Sequence, residues 1–130
     1  MFKALKRIVL ADDDPEDLEI LQMAFEVVCP DIMVNVAHNG IELLNLLDTI
    51  PIPDLIILDI NMPLRSGIEC LVEIRLKKQY DVVPVFMLST SARPKEKDFC
   101  LAQGAEKYLV KPTLFSEVVE LVEGICEEKV

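Results

Sequence analysis

The chain has 130 residues, enough for one folded domain, and a formal net charge of −10 at pH 7. Hydrophobic residues make up 52% of the chain, which predicts a globular core and excludes a disordered segment. Such an acidic chain lacks the clustered basic residues of a nucleic-acid binder, and no run is long enough to be a membrane span or signal peptide. We therefore expect a cytoplasmic protein without direct nucleic-acid binding or membrane insertion.

The first half of the chain alternates between strand-like and helical patterns. A predicted strand over Arg7–Ala11 is followed by a helix whose N-cap and first helical residue are Asp14 and Pro15. A second strand over Ile32–Ala37 precedes a helix over Ile41–Thr49. The first helix has one apolar face, formed by Leu18, Leu21, Phe25 and Val28.

The same alternation continues to the end of the chain. A third strand, Asp54–Ile60, leads to a helix that opens with the capping-box pattern Ser66–Glu69. The fourth strand, Val83–Ser89, leads to a helix over Pro94–Gln103 that Gly104 ends. The last predicted elements are a strand over Lys107–Val110 and, after Pro112 and Thr113, a helix with an apolar face of Val118, Leu121, Val122 and Ile125.

Five strand–helix pairs predict an α/β fold in which a parallel sheet is covered by helices on both faces. The continuous apolar runs of the third and fourth strands agree with burial on two sides. No linker, internal repeat or low-complexity segment interrupts the pattern. We expect a single domain over residues 1–130, with no output domain.

Polar side chains follow four of the predicted strands at the points where they end. Asp12 and Asp13 follow the first strand, Asp59 ends the third, Ser89 the fourth, and Lys111 follows the fifth. In an open parallel sheet these ends lie along one edge, where ligands bind. Carboxylates gathered there repel one another unless a cation offsets their charge, and Mg²⁺ prefers such oxygen ligands. With one lysine and one hydroxyl, the set is typical of phosphoryl-transfer sites, with Asp59 as the nucleophile.

Four segments, IVLADDDPED, PDLIILDINMPLRSG, VPVFMLSTSA and AEKYLVKP, resemble the receiver domain of bacterial two-component response regulators. The resemblance extends over the whole chain and is closest to stand-alone, chemotaxis-regulator-like receivers. It implies a flavodoxin-like (βα)5 doubly wound sheet of five strands in the order 2-1-3-4-5. It also implies Mg²⁺ as cofactor, and as partners a histidine kinase or histidine phosphotransfer protein and an unknown downstream protein.

The resemblance assigns roles to individual residues. It implies that Asp59 accepts the phosphoryl group, that Ser89 and Lys111 contact it, and that the rotamer of Tyr108 follows activation. The Lys111–Pro112 bond is often cis in this family. The implied metal ligands are the carboxylates of Asp12, Asp13 and Asp59 and the backbone carbonyl of Asn61.

The resemblance also implies a switch that catalyses only its own phosphorylation and dephosphorylation. Phosphorylation would draw Ser89 inward, let Tyr108 turn into the vacated space, and alter the face made by the fourth helix, fifth strand and fifth helix. That face is also a possible dimer surface. The fourth helix, with only Phe99 and Leu101 as apolar anchors, is expected to be the least firmly held.

Two other functions are considered. A small phosphatase of the haloacid-dehalogenase type also uses a strand-end aspartate and Mg²⁺, but it needs a D-x-D-x-T pattern, and here those later positions are Asn61 and Pro63. A degenerate receiver would serve only as a docking scaffold, although the intact set of acids argues against it.

The four cysteines show neither a CxxC motif nor the ligand spacing of a zinc site. We expect all four to be reduced thiols that pack as small hydrophobic side chains.

Overall fold

The computed structural model describes residues 5–127, which form one five-stranded parallel sheet. The strands lie in the order β2-β1-β3-β4-β5, so the flavodoxin-like topology is confirmed. The strands are β1 (Arg7–Ala11), β2 (Met33–Ala37), β3 (Leu55–Asp59), β4 (Val85–Ser89) and β5 (Lys107–Val110).

Five α-helices alternate with the strands, and a short 3₁₀ turn, Lys78–Tyr80, precedes β4. The helices are α1 (Pro15–Val28), α2 (Gly40–Leu47), α3 (Gly67–Arg75), α4 (Pro94–Ala102) and α5 (Phe115–Cys126). Within residues 5–127, no helix has both the length and the apolar character needed to cross a membrane.

The sheet has a separate apolar core on each face because neighbouring residues of a strand point to opposite sides. On β1, Ile8 and Leu10 belong to the core under α1 and α5, which also contains Phe25. Val9 and Ala11 face the other core, formed with residues of α2, α3 and α4. All five residues of β3 and of β4 are buried, which explains their continuous apolar sequences.

Helix caps fix where the loops at the functional edge begin and end. The Asp14 carboxylate accepts hydrogen bonds from the N–H groups of Glu16 and Asp17 at the start of α1. Ser66 and Glu69 form the predicted capping box of α3. Gly104 has φ of +104°, the left-handed conformation expected after a helix end.

Several predicted boundaries are shifted by one or two residues. Strands β2, β3 and β4 begin later than predicted, because only the central part of each apolar run pairs with its neighbours. Helix α2 covers Gly40–Leu47 instead of Ile41–Thr49. Helix α5 begins at Phe115, where the Glu117 carboxylate accepts a hydrogen bond from the Leu114 N–H.

The expectation of four reduced thiols is wrong for two of them. Cys29 and Cys126 form a disulfide between the C-terminal ends of α1 and α5, with Cα atoms 6.8 Å apart. Cys70 and Cys100 are free and buried, as expected. The paired residues lie 97 positions apart, so no local spacing in the sequence indicates the pair.

Helix α4 is anchored differently from the prediction. Phe99 and Leu101 are 49% and 40% exposed, so neither is an anchor. Cys100 is the buried residue of this helix, and Arg93 at its N-cap makes no side-chain capping bond. The apolar anchor of α4 therefore differs from the two predicted ones, and the expectation that α4 is the least firmly held helix stays a prediction.

Candidate functional site

Three carboxylates meet at the carboxyl ends of β1 and β3. These strands pair directly, so Ala11 lies opposite Leu58 and the next residue of each strand approaches the other. Asp12, Asp13 and Asp59 each offer a carboxylate oxygen within 4.8 Å of the others. The predicted acid cluster is therefore present in the fold.

Burial makes the charge of Asp59 unfavourable in this cluster. Asp12 and Asp59 are 1% and 3% exposed, whereas Asp13 lies at the surface. Loss of hydration and then the charge of Asp12 raise the pKa of Asp59 to about 7, although Lys111 acts in the opposite direction. Without additional positive charge, Asp59 is thus only partly ionised near neutral pH.

The cluster has oxygens suited to a divalent cation. Asp12 Oδ2 and Asp59 Oδ1 are buried, and neither accepts a hydrogen bond from any described residue. The other oxygen of Asp12 accepts from the Asp14 N–H at 3.0 Å. Buried anionic oxygens without donors are costly unless a cation neutralises them. Oxygen ligands of this kind fit Mg²⁺.

Lys111 extends from the end of β5 into the same cluster. Its ammonium nitrogen lies 2.7 Å from Asp12 Oδ2, 2.8 Å from Asp17 Oδ2 and 3.4 Å from Asp59 Oδ1. Burial favours the neutral amine, but Asp12, Asp17 and Asp59 together raise the pKa of Lys111 above its ordinary value. The lysine therefore remains a cation beside the predicted nucleophile.

Ser89 and Tyr108 meet at the loop between β4 and α4. Ser89 is 2% exposed, and its hydroxyl donates to the Ser91 carbonyl at 2.7 Å. The Tyr108 hydroxyl donates to the Glu96 carboxylate at 2.7 Å and lies 3.2 Å from the same Ser91 carbonyl.

Tyr108 lies inside the fold in this structure. It is 8% exposed and packed in the core under α4. That its rotamer follows activation stays a prediction. Hydrogen bonds to Ser91 and Glu96 hold the phenol inside the fold in the structure described.

The loop after β3 presents the remaining predicted ligand. Asn61 is exposed two residues beyond Asp59, and the assignment of its backbone carbonyl to a metal stays a prediction. Gly67 packs so closely on the Asp59 carbonyl that a Cβ there would collide with it. The Lys111–Pro112 bond is trans, since residues 5–127 contain no cis peptide bond, in contrast to the family tendency.

An open groove of about 350 Å³ lies beside the cluster, between α1 and the start of α5. Asp12, Asp17 and Lys111 form its polar end. Apolar residues line most of the rest, among them Ile20, Leu21, Leu88, Phe115, Val118 and Leu121.

Sequence reasoning missed two residues at this edge. Asp17 contacts Lys111 across 94 positions, and Glu96 contacts Tyr108 across 12. Both are acidic residues in the first turn of a helix. Acidic residues at such positions interact favourably with the helix dipole, so their presence alone does not indicate a role at the site. Neither residue has a signal in the sequence beyond the acidic first turn of its helix.

Comparison with known families agrees with this geometry. The family model described as "Response regulator receiver domain" matches residues 8–123. The chain belongs to this family. Membership supports the receiver interpretation over the phosphatase interpretation, and receiver domains work as phosphorylatable switches in two-component signalling with histidine kinases and downstream effectors.

One curated relative is a longer protein than this chain. The transcriptional regulatory protein CpxR of Escherichia coli is 35% identical over 121 residues, which are 93% of this chain and 49% of CpxR. The chain thus spans about half the length of this relative.

Solved receiver structures superpose on most of the chain. The phosphorylated cyanobacterial phytochrome response regulator RcpA has a TM-score of 0.87 and 29% identity, over 95% of this chain and 93% of its own. The Mn²⁺-bound form of the response regulator Rcp1 has a TM-score of 0.83 and 26% identity, over 92% of this chain and 91% of its own.

Proposed function

We propose that this chain accepts a phosphoryl group on Asp59 from a histidine kinase or histidine phosphotransfer protein. The observation behind this proposal is the buried Asp59 carboxylate, which lies between two other acids and the ammonium of Lys111. Phosphorylation of RcpA and Mn²⁺ binding by Rcp1, proteins of the same fold, support the same chemistry here.

In the proposed reaction, an Asp59 oxygen attacks the phosphorus of a phosphohistidine. The phosphorus–nitrogen bond breaks as the phosphorus–oxygen bond forms, and the electron pair stays with the departing imidazole. Lys111 offsets negative charge on the transferred group, and the Ser89 hydroxyl donates to one of its oxygens. Mg²⁺, held by Asp12, Asp13, Asp59 and the Asn61 carbonyl, would supply the further positive charge that keeps Asp59 ionised.

The response would begin at Ser89. Its hydroxyl now donates to the Ser91 carbonyl, and a phosphoryl oxygen would compete for that donor. The Ser91 carbonyl would then retain only the longer contact from Tyr108, and the loop before α4 would be freer to move. Because α4 has one buried residue, a small shift of this loop can change the face formed by α4, β5 and α5.

That face is the proposed surface for a downstream protein or for a second copy of the chain. Phe99 on α4 and Val110 on β5 are partly exposed there. The proposed location is the cytoplasm, where histidine kinases present their phosphoryl donors.

Beryllofluoride, a phosphoryl analogue, tests the proposal in a two-dimensional amide NMR experiment with Mg²⁺. We expect shifts at residues 89–103 and 107–111, while α2 stays unchanged. An Asp59→Asn variant should show none of them. Shifts confined to residues that touch Asp59 would contradict the switch, and the absence of any response would favour a docking scaffold.

A further inference from the structure

Lys111 and a bound cation need the same oxygens. Asp12 Oδ1 already accepts the Asp14 N–H, so Oδ2 is the oxygen that Asp12 has left for another partner. That same oxygen lies 2.7 Å from the Lys111 ammonium. Asp59 Oδ1, the other buried oxygen without a donor, lies 3.4 Å from the same ammonium. Two positive groups thus compete for two oxygens.

Asp17 gives the lysine a partner outside this competition. It is not part of the cluster formed by Asp12, Asp13 and Asp59. Among the described carboxylates near Lys111, only Asp17 receives an aligned hydrogen bond from its ammonium, at 2.8 Å; Asp12 Oδ2 and Asp59 Oδ1 lie close to it but accept none. Its side chain is 38% exposed on the first turn of α1, whereas that of Lys111 is 15% exposed.

We propose that Asp17 is a positioning residue that holds Lys111 when Mg²⁺ occupies the acid cluster. A cation among these carboxylates repels the nearby ammonium of Lys111. The hydrogen bond to Asp17, on the first turn of α1, keeps a negative charge beside that ammonium. Lys111 then stays beside the site without blocking the metal. This inference rests on the proposed function, because it concerns the cation at the same site.

The probe is Mg²⁺ alone, titrated into the folded chain and followed by the amide shifts of Ile60 and Asn61. We expect Asp17→Asn to weaken Mg²⁺ binding about 2- to 5-fold, the range that a partly exposed ion pair contributes. Without its partner, Lys111 remains on Asp12 and competes with the metal.

Glu16→Gln is the matched control. It removes one negative charge from the same turn of α1, but its carboxylate faces solvent without a described contact to Lys111. At physiological ionic strength, screening should limit its effect on Mg²⁺ affinity to less than about 1.5-fold.

A double-mutant cycle separates positioning from the general loss of charge. Lys111→Ala alone should tighten Mg²⁺ binding, because a competing cation is removed. Adding Asp17→Asn to Lys111→Ala should then have no more effect than Glu16→Gln has. This result is what the proposal requires.

Two results would overturn the proposal. One is an Asp17→Asn effect that is equally large with and without Lys111, and the other is an effect no larger than that of Glu16→Gln. If the unmodified chain binds no Mg²⁺, the proposed function fails together with this inference. If it binds Mg²⁺ normally and the cycle shows no coupling, only the role of Asp17 is refuted.

Discussion

Replacement of Asp59 by asparagine should stabilise the chain at neutral and higher pH when no divalent cation is present. The pKa of Asp59 is raised from 3.8 to about 7, so the folded state holds this proton more tightly than the unfolded state does. Between those pH values unfolding releases the proton, and stability falls as pH rises. The asparagine side chain has no charge to bury, so the variant lacks this pH-dependent loss.

The size of the effect follows from the shift. A rise of about three pKa units corresponds to about 4 kcal/mol at 1.36 kcal/mol per unit. Local rearrangement around an ionised Asp59 lowers this value, so we expect a gain of about 2–4 kcal/mol above pH 7. The gain should be small near pH 4, where the folded-state carboxyl is protonated and the unfolded-state carboxyl is only about half ionised, and it should grow steadily between pH 4 and pH 7.

Urea denaturation followed by circular dichroism, in chelator and at pH values from 4 to 8, measures this difference. An Asp31→Asn variant is the control, because it removes an exposed carboxylate far from the cluster in sequence. Saturating Mg²⁺ should reduce the difference in the free energy of unfolding between Asp59→Asn and the unmodified chain. A ligand that binds only the folded state stabilises that state. A gain from Asp59→Asn that is the same at pH 4 and pH 8 would refute the assigned electrostatic cost.

Three further predictions concern the response, the helix α4 contact and the thiols. Lys111→Ala should still be phosphorylated by acetyl phosphate but should show smaller amide shifts at α4, measured by NMR; unchanged shifts would contradict its role in reading the phosphoryl group. Glu96→Gln should speed hydrogen exchange of α4 amides by about tenfold, because a charged acceptor of the Tyr108 hydroxyl is lost, and exchange at the unmodified rate would show that this bond does not anchor the helix. Thiol titration of the unfolded chain should find two reactive cysteines before reduction and four after it; four before reduction would contradict the disulfide between α1 and α5.

The strands and helices could be predicted because they follow from short-range patterns, whereas the strand order that brings the acids together was implied by the family resemblance. Continuous apolar runs indicated strands buried on two faces, and parallel strands place their carboxyl ends on one edge. Asp12 and Asp59 therefore had to be neighbours once β1 and β3 were adjacent. The caps at Asp14 and Ser66 were also local, since each involves residues within one helical turn.

The parts that could not be predicted depend on side-chain contacts over long sequence distances. The ion pair of Asp17 with Lys111 joins α1 to the end of β5, and no periodicity reports such a contact. The same holds for the cysteines at the ends of α1 and α5. The inward position of Tyr108 is a choice of rotamer set by two hydrogen-bond acceptors in the α4 region, Ser91 and Glu96.

The most direct test of the proposed function is to locate a phosphoryl group on the chain. After incubation with acetyl phosphate and Mg²⁺, intact mass spectrometry should show the addition of one phosphoryl group, and peptide mapping should place it on Asp59. Asp59→Asn should remain unmodified, and Asp13→Ala should be modified much more slowly because a proposed metal ligand is lost. Modification of Asp59→Asn to the same extent, or of the unmodified chain at another residue, would contradict the assignment of Asp59 as the phosphoryl acceptor.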